Sequence, residues 1–203
     1  MSDAFAEIIV VLGSIVAGLP LAITAVQILW INLVSDGLPN LALTIDPVRR
    51  GIMHEAPRST KEPLVNKWML SLIGIISLVS GLVVLASFFL TLAVTKNVIL
   101  ARSFAFVVLG FDSLVYVFSV RTLLVPFWKN NMFGNKWLIA AVLAGAFMQV
   151  LPFLTLGLRQ FFGVEKLSLN YWLLAGAISL LVFIAIEIFK AGCRLKPVKN
   201  FLK

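Results

Sequence analysis

Five stretches of this chain are long and apolar enough to cross a lipid bilayer, and nothing else in the sequence constrains its fold so tightly. They run roughly over 23–43, 68–94, 103–125, 137–156 and 171–189. A helix needs about 20 apolar residues, rising ~1.5 Å each, to cross a ~30 Å hydrocarbon layer. Inside that layer every backbone N–H and C=O must be satisfied within the segment, so these runs predict helices. A sixth run, 4–18, has only 15 residues. It reaches about 22 Å and is expected to be part of a spanning helix whose beginning is missing. The expected fold is an all-α integral membrane bundle of five complete transmembrane helices plus one partial N-terminal helix, with 1–203 as one region.

Composition agrees. The chain is 61% hydrophobic, with a mean hydropathy of +1.03, against about 45–50% apolar for soluble domains. The net charge of +8 could suggest nucleic acid, but the basic residues sit at the ends of apolar runs, as charges at lipid headgroups do. Thirteen of the 17 basic residues fall in the 44–67 loop, the 121–136 loop and the C-terminal segment from Lys190. The other four are Lys96, Arg102, Arg159 and Lys166, in the alternate loops. The excess of positive charge predicts that the first set, C-terminus included, faces the cytoplasm. The 4–18 run then leaves the membrane on the outer side at Gly18-Leu19-Pro20.

Some enzyme classes are excluded. One cysteine, Cys193, permits no internal disulfide, and one histidine, His54, has no partner at zinc-site spacing. No Gly-rich phosphate loop and no catalytic triad is present. Trp68, Trp128, Trp137 and Trp172 stand at run ends, as an interfacial aromatic belt predicts. The small residues Ala140, Ala141, Ala144, Gly145 and Ala146 predict a close helix-packing surface, and Pro152 a kink.

The informative residues are acids. Asp3 stands at the start of the first run, and Glu187, three residues before Lys190, reads as an interfacial ion pair. Glu7, Asp36 and Asp112 have apolar neighbours on both sides, well inside spans. A carboxylate near mid-bilayer costs about 2.5–3.5 kcal/mol on insertion scales, so it faces protein, water or an ion. Around Asp36 the sequence is Trp30-Ile31-Asn32-Leu33-Val34-Ser35-Asp36-Gly37-Leu38-Pro39. Asn32, Ser35 and Asp36 share one face of a helix, which gathers amide, hydroxyl and carboxylate oxygens. Pro39 has no N–H, so the helix is expected to break there and free the Ser35 carbonyl. Such oxygens suit calcium, sodium or magnesium.

The stretch Ala25-Val26-Gln27-Ile28-Leu29-Trp30-Ile31-Asn32-Leu33-Val34-Ser35-Asp36-Gly37-Leu38-Pro39, preceded by Leu19-Pro20, resembles the sixth transmembrane helix of type II P-type cation ATPases. It is most like calcium pumps of the sarcoplasmic reticulum type and their bacterial relatives, whose pattern is close to V-Q-x-L-W-x-N-L-x-[TS]-D-G-x-P. Ala56-Pro57-Arg58-Ser59-Thr60-Lys61-Glu62-Pro63-Leu64 resembles the next loop, with Ala56 and Thr60 in place of prolines. Weaker likeness continues through Phe118–Arg121, Asn135–Leu138 and Glu187–Lys190.

The resemblance implies that the runs are the family's sixth to tenth helices and that 4–18 is the outer half of the fifth. It places Asn32, Ser35 and Asp36 on sixth-helix cation ligands and Glu7 on the fifth-helix glutamate ligand. Ala4 falls where two-site calcium pumps carry an asparagine. The third carboxylate position falls on Ser113 rather than Asp112, one residue off, so both are further candidates. The implied function is the cation-translocation portion of an ATP-driven pump, with calcium as the transported ion, in the cell membrane of a bacterium. Neither D-K-T-G, T-G-E-S nor P-E-G-L occurs in the sequence. ATP and Mg2+ would act only through a missing N-terminal part, and no ATPase activity is expected from this chain alone. The implied partners are the lipid bilayer and that missing part, not nucleic acid. A small stand-alone secondary transporter or channel, or a non-functional pump fragment, are the alternatives.

Overall fold

The structure, a computed structural model, describes residues 1–46, 65, 67–121 and 134–194. His54, Trp128, the 56–64 motif, and the loop and C-terminal residues Arg49, Arg50, Arg58, Lys61, Lys129, Lys196, Lys199 and Lys203 lie outside the described residues.

The described chain is all-α. Its helices are α1 (Ser2–Val16), α2 (Ala25–Ile31), a π-helical segment (Asn32–Gly37), α3 (Leu38–Leu43), α4 (Lys67–Thr95), α5 (Val98–Val120), α6 (Lys136–Val150), α7 (Leu156–Phe162) and α8 (Leu169–Arg194). Four of them, α4, α5, α6 with its 3-10 extension, and α8, are long and apolar enough to cross a membrane. Their outward faces carry Leu82, Leu90, Leu143, Phe147, Leu173 and Leu181, all more than half exposed, as lipid-facing residues are.

Helix α5 is the hub. Of its most apolar stretch 67% is buried, against 28–39% in the other three. Helices α4 and α8 pack along it, and α1 packs on α4. Ala101, Phe104, Phe106, Val107, Val108 and Leu109 form the centre of the main apolar cluster with Phe88 of α4 and Ala175 of α8.

Local chemistry sets where the helices begin and end. Asn97 caps α5 by accepting from the N–H groups of Ile99 and Leu100, so the helix starts at Val98 rather than Ser103. Arg102 thus lies in its second turn, and its Nε reaches back to the carbonyl of Leu21 at 3.0 Å. The long side chain can carry its charge to the membrane edge from there. Helix α6 stops earlier than the apolar run. Pro152 lacks an N–H, a 3-10 turn follows over Leu151–Phe153, and Thr155 caps the separate α7.

The connection between α1 and α2 turns at Gly18, whose φ of +64° lies in the left-handed region that glycine occupies without strain. Ser14 Oγ accepts from the N–H of Ala22, and Thr24 and Gln27 form a reciprocal capping box at the start of α2.

Two glycines bring α1 and α4 together. A Cβ on Gly81 would stand 2.8 Å from Ile9 Cγ2 and 3.2 Å from the Ala6 carbonyl oxygen. Gly13 is filled in the same way by Leu85. Small residues allow this approach, and tight packing stands in for the hydrophobic force that lipid cannot supply. Gly81→Val should therefore destabilise the bundle by roughly 1–3 kcal/mol, the usual cost of overpacking. Gly74→Ala, where a Cβ meets nothing within 4 Å, should be neutral or stabilising. Thermal melting of the two variants in detergent tests this, and equal melting points would refute it.

Candidate cation site

The Asp36 helix is widened rather than broken. Helical geometry runs unbroken from Ala25 to Leu43, but Asn32–Gly37 is wound as a π-helix. The cause is in the sequence. Pro39 cannot donate to the carbonyl one turn back, and pairing five residues ahead keeps the remaining groups engaged. The wider turn seats Gly37 over the Asn32 carbonyl, where a Cβ would stand 3.3 Å from that oxygen. Gly145 of α6 backs the segment closely, 3.4 Å from the Val34 carbonyl if it bore a Cβ.

Two of the expected residues meet directly across the α1 interface. Asn32 Nδ2 donates to Glu7 Oε2 at 3.3 Å. The other Glu7 oxygen is buried without a hydrogen bond. Asp36 is half-buried and within electrostatic reach of Glu7 and Asp3. Its Oδ1 accepts from Asn40 Nδ2 at 2.6 Å. Ser35 is 1% exposed, and its hydroxyl has no partner. Ala4 is exposed and offers no polar group.

The two α5 candidates point to different neighbours, as residues one position apart on a helix must. Ser113 lines a cavity together with Ser35 and Asp36. Asp112 does not line it. It lies beside Ser80 of α4, with Oδ1 buried and unpartnered. That α5 position therefore adds a hydroxyl to the site rather than a carboxylate.

Sequence reasoning placed Asp3 only at the start of a run. In the structure it is 4% exposed and accepts a hydrogen bond from the Tyr116 hydroxyl. Ser2 Oγ donates to Tyr116 in turn, at 3.1 Å. The available signal was its spacing: Asp3 and Glu7 are four apart and so stack on one helix face. Asn40, four after Asp36, was missed for the same reason. Among the described residues no three His, Cys, Asp or Glu side chains converge to hold a metal ion. A site here depends on hydroxyl, amide and water oxygens beside its carboxylates.

The cavity holds about 220 Å³. From Ser35, Asp36 and Ser113 it runs along apolar Leu72, Ile73 and Val117 to Lys190, near the ends of α5 and α8. Glu187 and Lys190 form the ion pair expected from sequence, and the structure buries it. They are 1% and 5% exposed, 2.8 Å apart, and share Ser119, whose hydroxyl donates to Glu187 and accepts from Lys190. At the same end Arg121 pairs with Asp46 at 2.9 Å, and Asn135 bridges Asp46 and the Ala42 carbonyl. These contacts tie α3, α5 and α6 together. The opposite end is held by Gln27 Nε2 donating to the Phe162 carbonyl, and by Asn97 donating to Glu165.

Comparison with known proteins adds a family. Residues 20–192 match the family model described as cation transporting ATPase, C-terminus. The chain is 31% identical to calcium-transporting ATPase 1 of Bacillus cereus, covering 94% of this chain and 23% of that protein. It is 31% identical to the calcium-transporting ATPase of Bacillus subtilis, over 83% of this chain and 19% of that one. A probable cation-transporting ATPase F of Mycobacterium bovis is 29% identical over 94% of the chain, which spans 21% of it. The chain thus spans about a fifth of the length of these relatives.

The buried pair yields a stability test. Glu187→Gln leaves Lys190 charged and short of its partner, which should cost about 3–5 kcal/mol. The double change Glu187→Leu with Lys190→Met should recover most of that loss. Denaturant titration of both in mixed micelles checks it, and a double variant no better than the single one would refute it.

Proposed function

The chain belongs to the family of cation-transporting ATPase C-termini, and we propose that it forms the membrane, cation-translocating portion of an ATP-driven calcium pump. One observation carries the reading. Glu7, Asn32, Ser35 and Asp36 gather oxygens at a π-helical turn, and two of those oxygens, Glu7 Oε1 and Ser35 Oγ, are buried with no hydrogen-bond partner. A hard divalent cation bound there would satisfy oxygens that are costly to leave unpaired. The calcium-transporting relatives named above support calcium as that ion.

In this reading Asp36 is the central ligand, shared between the Glu7 and Asn32 side and the cavity side. Glu7 contributes its free oxygen and Asn32 its amide carbonyl. The remaining ligands, the phosphorylation chemistry, and the ATP and Mg2+ that drive it come from the rest of the pump. The pump resides in a bacterial cell membrane, with the Lys190 end and the C-terminus in the cytoplasm, as the distribution of basic residues favours.

In the pump that carries this chain, Asp36→Asn keeps the size of the side chain and removes its charge. It should abolish cation-dependent phosphorylation by ATP, measured with radiolabelled nucleotide. Wild-type calcium dependence in that variant would overturn the site. For orientation, a reporter fused after Lys203 should read as cytoplasmic, and an external reading would reverse the topology.

A further inference from the structure

At the end of the bundle opposite Lys190, the connection between α6 and α8 folds into α7 instead of a polar loop. We propose that residues 154–166 are a lipid-seated clamp. Their outward apolar side chains enter the bilayer surface, Arg159 and Lys166 meet the headgroups of anionic phospholipids, and inward-facing Phe162 holds the start of the Asp36 helix. The effect on cation affinity rests on the transport reading above; the lipid seat does not.

The first observation is what the segment exposes. Leu154, Leu156 and Phe161 are each more than half exposed. In water that surface would cost about 25 cal/mol for each Å²; against lipid it costs nothing of the kind. The lipid-facing surface runs into it from both neighbours. Phe147 on α6 and Leu169 and Leu173 on α8 are also more than half exposed. Helix α7 has seven residues and rises only ~10 Å, so it cannot cross the hydrocarbon and belongs at its boundary.

The second observation is charge. The basic residues of this end are Lys96, Arg102, Arg159 and Lys166, and the connections here hold one acid, Glu165. That acid accepts from Asn97, and its N–H donates to Ser103 Oγ at 2.7 Å. The tie sets Lys166 against the first turns of α5, where Arg102 stands. Lys166 is exposed, and Arg159 Nε reaches the Thr155 carbonyl at 3.4 Å. Neither makes an ion pair among the described residues. A positive rim beside an apolar patch fits an anionic headgroup above its acyl chains.

The third observation is the grip on the transport helix. Phe161 and Phe162 are adjacent, about 100° apart around α7, so one ring points out and the other in. Phe162 is buried, edge-on to Trp30 at 5.0 Å and stacked with Phe106 of α5. Its carbonyl is one of those a helix end leaves unpaired, and Gln27 Nε2 donates to it at 3.0 Å. Gln27 is fully buried, and its Oε1 accepts from the Thr24 N–H. Gln27 and Trp30 stand on α2, from which helical geometry runs on to Asp36. Lipid that seats α7 thereby fixes the position of the helix bearing Asp36.

Spin labels read the seat. Phe161→Cys and, separately, Leu154→Cys are labelled with a nitroxide in a chain carrying Cys193→Ser, in lipid nanodiscs. Both labels should collide more with oxygen, which concentrates in lipid, than with a water-soluble nickel chelate. A preference for nickel at either position overturns the seat. Native mass spectrometry reads the headgroups, on chain released from nanodiscs of equal phosphatidylcholine and phosphatidylglycerol. The wild type should retain phosphatidylglycerol preferentially. Arg159→Gln with Lys166→Gln should weaken that retention by roughly 5-fold for each side chain, the weight of one basic residue at an anionic surface. Unchanged retention overturns the headgroup site.

The grip is read in the pump that carries this chain. Phosphatidylglycerol should lower the calcium concentration for half-maximal phosphorylation, by no more than linkage to its own binding allows. The Arg159→Gln, Lys166→Gln pair should lose this response. Gln27→Met, which keeps the length and removes both bonds, should lose the response but not the lipid retention. If Gln27→Met does not fold, the surface pair decides. Calcium dependence that lipid charge does not move, with labels and retention as expected, overturns the clamp and leaves the transport reading standing. Wild-type calcium dependence in Asp36→Asn overturns the transport reading and leaves the lipid seat standing.

Discussion

Hydrocarbon supplies no hydrogen bonds, so a missing amide hydrogen inside a membrane helix must be absorbed by the backbone itself. Pro39 creates that deficit, and the π-helical turn over Asn32–Gly37 absorbs it. Much else follows from this adjustment. Widening the turn directs Asn32 toward Glu7 and leaves Ser35 and Asp36 at the cavity. It also demands a smooth neighbour behind it, which Gly145 of α6 provides. The polar residues are tolerated because one side of the irregular turn packs on α5 and α6 and Asn32 bonds to Glu7 of α1, while Leu33 faces outward.

The ends of the bundle are made differently. At the Gln27 end, side chains bond to backbone carbonyls: Gln27 to Phe162, and Arg102 to Leu21. Aromatic contacts reinforce them, with Trp30 edge-on to Phe162 at 5.0 Å. At the Arg121 end, paired charges dominate, in Arg121 with Asp46 and Glu187 with Lys190. Of the charges at the first end, Arg102 and Glu165 are bonded to neutral groups, whereas a buried paired charge is strongly destabilising once it loses its partner. The second end is accordingly the one whose stability depends on side-chain chemistry.

Most of the architecture could be read from hydrophobic run length, because in a membrane one physical requirement decides both helicity and extent. Boundaries were less legible. The starts of α5 and α7 are set by Asn97 and Thr155, single capping residues that hydropathy does not register. The site was half legible. Asn32, Ser35 and Asp36 announce themselves as polar residues in an apolar run next to glycine and proline. Asp3 does not, because it sits at the edge of its run, where an acid costs little; only its four-residue spacing from Glu7 betrays it. The different surroundings of Asp112 and Ser113 depend on how α5 is rotated against α1 and α4, a tertiary fact that no local pattern carries. The burial of Glu187 and Lys190 has the same origin, since Ser119 from another helix closes over the pair.

The interlock of α1 with α4 has a mechanical meaning. Ile9 seated at Gly81 and Leu85 seated at Gly13 act as teeth in opposing notches, and close-packed interiors do not deform continuously. Neither helix can slide past the other by a fraction of a turn without lifting a tooth over a backbone. A force applied along α1 is therefore passed to α4 as a whole. Asp3 and Glu7, which ride on α1, keep their height relative to α4 whenever the pair shifts. The distance open to change in such a shift is the one from those two carboxylates to Asp36, which stands on the Ala25–Leu43 segment rather than on α1 or α4.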